Sequence, residues 1–168
     1  TSPLIETRLG CDYFKHREQL RFKRQLIFSG PIDSYFDASL GPLQWRSVRQ
    51  EKKIVDEGDF QGTSVMNYAD LDVPFTRIHE PRHLHPERSY PSDRTVIFYE
   101  TPCDDPSEPL YPIKTGPNLE LLTGYRELAS RESRVVFGGR LGDYAYYDMD
   151  KTILRALECF EKEIVPFS

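Results

Sequence analysis

Between Asn118 and Ile164 the chain runs through a helical period, an apolar run, a pair of glycines and a second helical period. Leu121, Leu122, Tyr125, Leu128 and Ala129 share one face of a helix over 118–130, and RVVFGG at 134–139 reads as a strand too apolar to be an exposed edge. From Asp150 onward Ile153, Leu157, Phe160 and Ile164 recur at helical spacing. Helix, buried strand, glycine turn and helix is the order of an α/β unit. The preceding part differs. LQWRSVRQEKKIV, GTSVMNYA, FTRIHE and RTVIFYET alternate or cluster β-branched and aromatic residues between Gly58, Gly62, Pro74, Pro81 and Pro91, which predicts an antiparallel sheet. Upstream, LIETRL (4–9) and QLIFS (25–29) read as short strands flanking a brief helix or loop from His16 to Arg24. After the Gly30-Pro31 break, Asp33 is placed to cap a helical turn carrying Tyr35 and Phe36. The expected fold is α+β, with an antiparallel sheet domain over 1–112 and a helix–strand–helix segment of an α/β domain over 113–168.

A chain of 168 residues can bury one real core. Its net charge of -5, with both signs interspersed, lacks the basic stripe that phosphate-backbone binding requires, so nucleic acid is not expected as a partner. No apolar run approaches the ~20 residues of a membrane span, and Thr1-Ser2-Pro3 opens no signal peptide, so a soluble, cytoplasmic protein is expected. Cys11, Cys103 and Cys159 are odd in number and widely spaced, as reduced structural thiols are. Ten Tyr and ten Phe would suit a polar, ring-shaped ligand, although core packing uses aromatics as well.

Three stretches invite a chemical reading. GGRLGDYAYYDMD (138–150) joins the apolar strand to the last helix, where glycines expose backbone, Arg140 can pair with a phosphate, and Asp148 can accept from sugar or ribityl hydroxyls. Asp148 or Asp150 capping the helix, with the tyrosines packed, explains the same residues. Asn67 and Arg77 flank a polar turn, and Arg77 is either an anion ligand or an ion-paired strand arginine. Arg46 and Arg49 face the same choice. Being three apart, they point to opposite sides of a strand, so one site takes at most one of them. HEPRHLH, with His79, His83 and His85, lacks the ligand spacing of closed zinc sites, so no metal is expected there. The chain has no G-x-S-x-G, no P-loop and no G-x-G-x-x-G.

Read in order, GPIDSYFD (30–37), the WRS of LQWRSV (45–47), FQGTSVMNYADLDVPFTRI (60–78), LYPI (110–113), YRELAS (125–130) and FGGRLGDYAYYDMDKTI (137–153) resemble the later part of UDP-galactopyranose mutase. The resemblance implies a segment of a Rossmann-like FAD-binding domain at the C-terminus. It also implies interconversion of UDP-galactopyranose and UDP-galactofuranose, with N5 of the reduced FAD attacking the anomeric carbon as UDP leaves. It carries Arg77, Tyr111 and Tyr146 to the diphosphate, Arg46 and Asn67 to the substrate side, Arg140 to a place beside flavin and sugar, and Asp148 and Met149 to the flavin. Arg77 and Arg140 would act in catalysis. Trp45, Phe75 and Leu110 each stand where the family commonly has tyrosine, and HEPRHLH replaces a simpler EHKHF-like segment. The family's FAD fingerprint, helical domain and mobile substrate loop have no counterpart here, so the chain alone is expected to be inactive and not to hold FAD. Exposed apolar surface would favour a homo-oligomer. A non-catalytic sugar-nucleotide-binding module and a segment of an amine-oxidase-like flavoprotein stand as alternatives.

Overall fold

The computed structural model describes residues 2–105 and 107–165. Its centre is a five-stranded antiparallel sheet in the order β3-β4-β5-β2-β6. The strands are β2 (Trp45–Val55), β3 (Val65–Asn67), β4 (Arg77–His79), β5 (Thr95–Cys103) and β6 (Tyr111–Pro112). The longest ladder pairs Ser47–Val55 with Cys103–Thr95 without a bulge, so side-chain parity carries unbroken across it. One face presents Trp45, Ser47, Thr95, Ile97 and Ile78, all buried. Period-two alternation of this kind is what a sheet with one packed face requires.

A second, smaller sheet pairs β1 (Leu26–Phe28) with β7 (Val135–Phe137) in parallel, so the fold is α+β with one antiparallel and one parallel sheet. The strand expected within the first 112 residues is therefore hydrogen-bonded to the closing segment, and the pairing crosses the boundary drawn after residue 112. Helix α1 (Tyr13–His16) is a single turn capped by Asp12, and α2 (Ile32–Tyr35) is another. Helix α3 (Gly116–Ala129) lays Leu122 and Tyr125 against Ile32, Leu43, Trp45 and Tyr144, which joins the start of β2 to the segment after β7. The short turn α4 (Gly139–Gly142) precedes α5 (Met149–Cys159), which ends in a π-helical turn, Phe160–Ile164.

Two local expectations are corrected. Residues 4–9 form no strand: Leu4 and Leu9 are almost fully exposed and, among the described residues, no strand pairs with this segment, so β-propensity had no surface to act on. Asp33 does not cap α2, whose N-cap is Pro31. Its buried carboxylate turns inward, and Oδ2 accepts from Leu43 N–H at 2.9 Å. Among the described residues no helix is long and apolar enough to cross a membrane.

Candidate functional site

Strand register decides which of the expected residues meet. Asn67 lies opposite Arg77, Arg77 opposite Glu100, and Glu100 opposite Gln50. Arg46 is four residues from Gln50 on the same strand and lies opposite Tyr111. Partners across a ladder share a face, as do residues two and four apart. Asn67, Arg77, Arg46 and Tyr111 therefore stand on one face of the sheet, and Arg49 on the other. At ~4.8 Å per strand and ~3.3 Å per residue, the Arg77 and Arg46 Cα atoms are about 16 Å apart, so a ligand touching both must be elongated.

At one end Arg77 Nε donates to Asn67 Oδ1 at 2.8 Å, and its Nη1 lies 3.4 Å from Glu100 Oε1. The other Glu100 oxygen is 2.9 Å from His79 Nε2. Glu100 is only 7% exposed. Arg77 is thus ion-paired, as the plainer reading of a strand arginine held, and the same pairing fixes its guanidinium at the face rather than leaving it to sweep through solvent. Glu100 was not among the expected residues. Its signal is a lone acid inside the apolar run TVIFYE, where a buried carboxylate needs a charged or hydrogen-bonding partner.

At the other end the Tyr111 and Tyr146 rings stack, with centroids 5.4 Å apart and planes at 22°. The Arg140 guanidinium sits 4.8 Å from the Tyr146 ring centroid and 5.9 Å from that of Tyr111, and Arg140 Nη2 donates to the Leu110 carbonyl at 2.7 Å. Cation–π contact and a backbone acceptor together orient this half-buried cation. Arg46 is exposed and paired with Asp104 at 2.7 Å. Beneath it, the Ser47 hydroxyl lies against the Asp105 and Glu108 carbonyls, tying down the loop that carries Asp104.

The turn after β7 lies at the carboxyl ends of both parallel strands. Gly138 N–H donates to the Phe28 carbonyl, and a methyl group placed on Gly138 would meet nothing within 4 Å, so its backbone borders open space. Gly139, at φ 79°, needs glycine. Asp148 occupies the N-cap of α5, yet its side chain makes no capping bond and is exposed, while Met149 is 85% exposed. Capping therefore does not account for the Asp148 carboxylate. Tyr144, by contrast, is structural: 1% exposed, it directs its hydroxyl to the Gln44 and Ile113 carbonyls. The three histidines of HEPRHLH diverge. His79 faces Glu100, His83 faces Asp59 and Glu80, and His85 faces Glu87.

An elongated face with a fixed arginine at one end and stacked phenols beside another arginine, joined to a glycine turn at the ends of parallel strands, offers cationic and phenolic donors to an elongated anionic ligand. Comparison with known proteins agrees: the family model described as UDP-galactopyranose mutase matches residues 1–146. A probable UDP-galactopyranose mutase of Klebsiella pneumoniae is 39% identical over 133 residues, covering 79% of this chain and 34% of that protein. A dTDP-fucopyranose mutase of Escherichia coli is 35% identical over 134 residues, covering 80% and 36%. A UDP-galactopyranose mutase of Mycoplasma genitalium is 33% identical over 171 residues, covering 94% and 42%. The chain belongs to the UDP-galactopyranose mutase family, and it spans about a third to two-fifths of the length of these relatives.

Proposed function

We propose that, in the whole protein, this chain supplies the substrate-side wall of a flavin-dependent mutase that interconverts UDP-galactopyranose and UDP-galactofuranose. The observation that carries the reading is the shared face of Asn67, Arg77, Arg46 and Tyr111, with Tyr146 and Arg140 stacked at its end. On this reading Arg77 holds the diphosphate, and the charge that develops as UDP departs is balanced by its guanidinium and by the Tyr111 and Tyr146 hydroxyls. Glu100 and Asn67 keep Arg77 from collapsing onto any other acid, and Asn67 retains its amide N–H groups for the sugar. Arg46 opens from Asp104 to line the same site.

The turn at Gly138–Gly142 fits one wall of a Rossmann-like FAD site: open backbone at Gly138, an uncommitted Asp148 carboxylate for the ribityl chain, an exposed Met149 for the ring system and Arg140 between flavin and sugar. Bound and reduced, FAD would supply the nucleophile for the anomeric carbon. The described residues form one side of such a site, so turnover and stoichiometric flavin are assigned to the whole protein rather than to this chain alone. The antiparallel sheet carries most of the substrate contacts, and the segment after β7 adds Tyr146 to them and closes on flavin.

The test is calorimetric titration of UDP and dTDP into the whole protein carrying this chain, in parent and Arg77→Ala forms, beside an assay of UDP-galactofuranose turnover. Losing a charge-assisted contact of about 1.5–3 kcal/mol weakens binding by roughly 10- to 150-fold, and UDP should bind more tightly than dTDP. Unchanged UDP affinity in Arg77→Ala refutes the role of this arginine. A preference for dTDP refutes the choice of nucleotide, which the Escherichia coli relative makes a real contest.

A further inference from the structure

Away from Arg77 and the stacked phenols, the loop before β3 and the turn after β4 bring three donors together. The Asp59, Glu80 and His83 ligand atoms lie within 4.8 Å of one another. His83 Nε2 is 3.0 Å from Asp59 Oδ1 and 3.5 Å from Glu80 Oε2. A cation bonded at about 2.0–2.2 Å to imidazole nitrogen and carboxylate oxygen holds neighbouring donors about 3–3.5 Å apart, so the two spacings from His83 match edges of a coordination shell.

Charge points the same way. Glu80 is 0% exposed, and a carboxylate taken out of water needs compensation. Phe60 N–H and Gln61 N–H donate to its two oxygens at 3.1 and 2.9 Å, which leaves each oxygen a second lone pair. Asp59 Oδ1 also accepts from the Gly62 N–H at 2.7 Å, which holds this carboxylate in place beside His83. The nearby Arg82 guanidinium packs over the Tyr90 ring at 5.4 Å.

We propose that Asp59 Oδ1, Glu80 Oε2 and His83 Nε2 bind one divalent first-row cation of the Zn²⁺ type, with water completing its shell. The cation staples the Asp59–Gly62 loop to the turn beginning at Pro81. Glu80 N–H also donates to Ser64 O, one residue before β3, so the staple closes the end of the β3–β4 hairpin at Val65 and His79. Two residues further along stand Asn67 and Arg77. The site is independent of the sugar-nucleotide reading.

The experiment titrates Zn²⁺ by calorimetry into chelator-treated protein, with Co²⁺ visible absorption reporting the donor geometry. One equivalent should bind. Asp59→Asn and His83→Ala, each checked for folding by circular dichroism, should weaken binding at least tenfold, whereas His85→Ala, whose ring faces Glu87, should bind like the parent. Absence of one-to-one binding, undiminished affinity in folded Asp59→Asn or His83→Ala, or loss of binding in His85→Ala overturns the assignment. Should His83→Ala not fold, the exposed Asp59→Asn decides alone.

Discussion

Three tyrosines give an ordered test of how the fold is held. The Tyr125 ring is fully buried; its hydroxyl donates to the Gly41 carbonyl at 2.7 Å and accepts from Leu40 N–H at 3.1 Å. Among the described residues Leu40 N–H has no other acceptor, so Tyr125→Phe strands a donor, at a cost of about 1–3 kcal/mol. The Tyr144 hydroxyl shares its one proton between the Gln44 and Ile113 carbonyls, at 2.6 and 2.9 Å, but both carbonyls keep other donors: Ile113 N–H for the first, Thr115 N–H and Asn118 Nδ2 for the second. Tyr144→Phe orphans nothing and keeps the ring against Trp45, so it loses only the net value of a hydrogen bond, about 0.5–1.5 kcal/mol. Tyr146 is 51% exposed, and its stacking on Tyr111 does not need the hydroxyl, so Tyr146→Phe should leave stability unchanged. At about 2–4 °C per kcal/mol for a chain of this length, Tm should fall by about 2–12 °C for Tyr125→Phe and about 1–6 °C for Tyr144→Phe. Thermal melts of the three variants at one pH supply the comparison. A larger loss for Tyr144→Phe than for Tyr125→Phe refutes the reasoning from orphaned donors, as does any loss for Tyr146→Phe comparable to either.

A Cβ on Gly58 would lie 2.1 Å from the Ser92 carbonyl oxygen, backbone against backbone, so Gly58→Ala should cost about 1–3 kcal/mol in urea unfolding. Gly116→Ala, where nothing lies within 4 Å, should cost nothing; equal midpoints for the two variants would contradict this. Burial, then the neighbouring Tyr13, pushes the Tyr35 phenol up to about 12. Because the folded value is raised, the native state holds this proton more tightly, and the stability it lends is complete below pH 10 and lost as pH rises toward about 12. Phenolate absorbance with parallel melts measures this, and an alkaline limb unchanged in Tyr35→Phe argues against it.

Long periodic segments were legible in the sequence because their burial is continuous. The β2 and β5 runs and the α3 stripe appear where their alternation and spacing put them, and parity alone separated Arg46 from Arg49. Non-local choices were not legible. Nothing in QLIFS names Val135–Phe137 as its partner, and the apolar residues of 4–9 have the composition of a strand without a neighbour to pair with. Asp33 was misread for the same reason: local grammar offers an acid after Gly-Pro as a cap, whereas the packed state gives it Leu43 N–H. In the candidate site, the arginines and tyrosines were recognisable by type and order. Glu100, which fixes Arg77, was hidden because a carboxylate's partners across a sheet depend on register.

The parallel pairing of residue 26 with residue 135 has a kinetic corollary. The whole antiparallel sheet is an excursion nested between two strands that must find each other at long range. Closing so long a loop is a modest thermodynamic burden, since each doubling of length adds only about 0.6 kcal/mol, but non-local contacts of this kind slow the search. The β2–β5 ladder, formed between nearer segments, can mature first and draw the ends of the excursion together, with Tyr144 bonding to Gln44 and Ile113 where the chain leaves and re-enters it. On that sequence of events the glycine turn at 138–142 is among the last parts of the molecule to take shape.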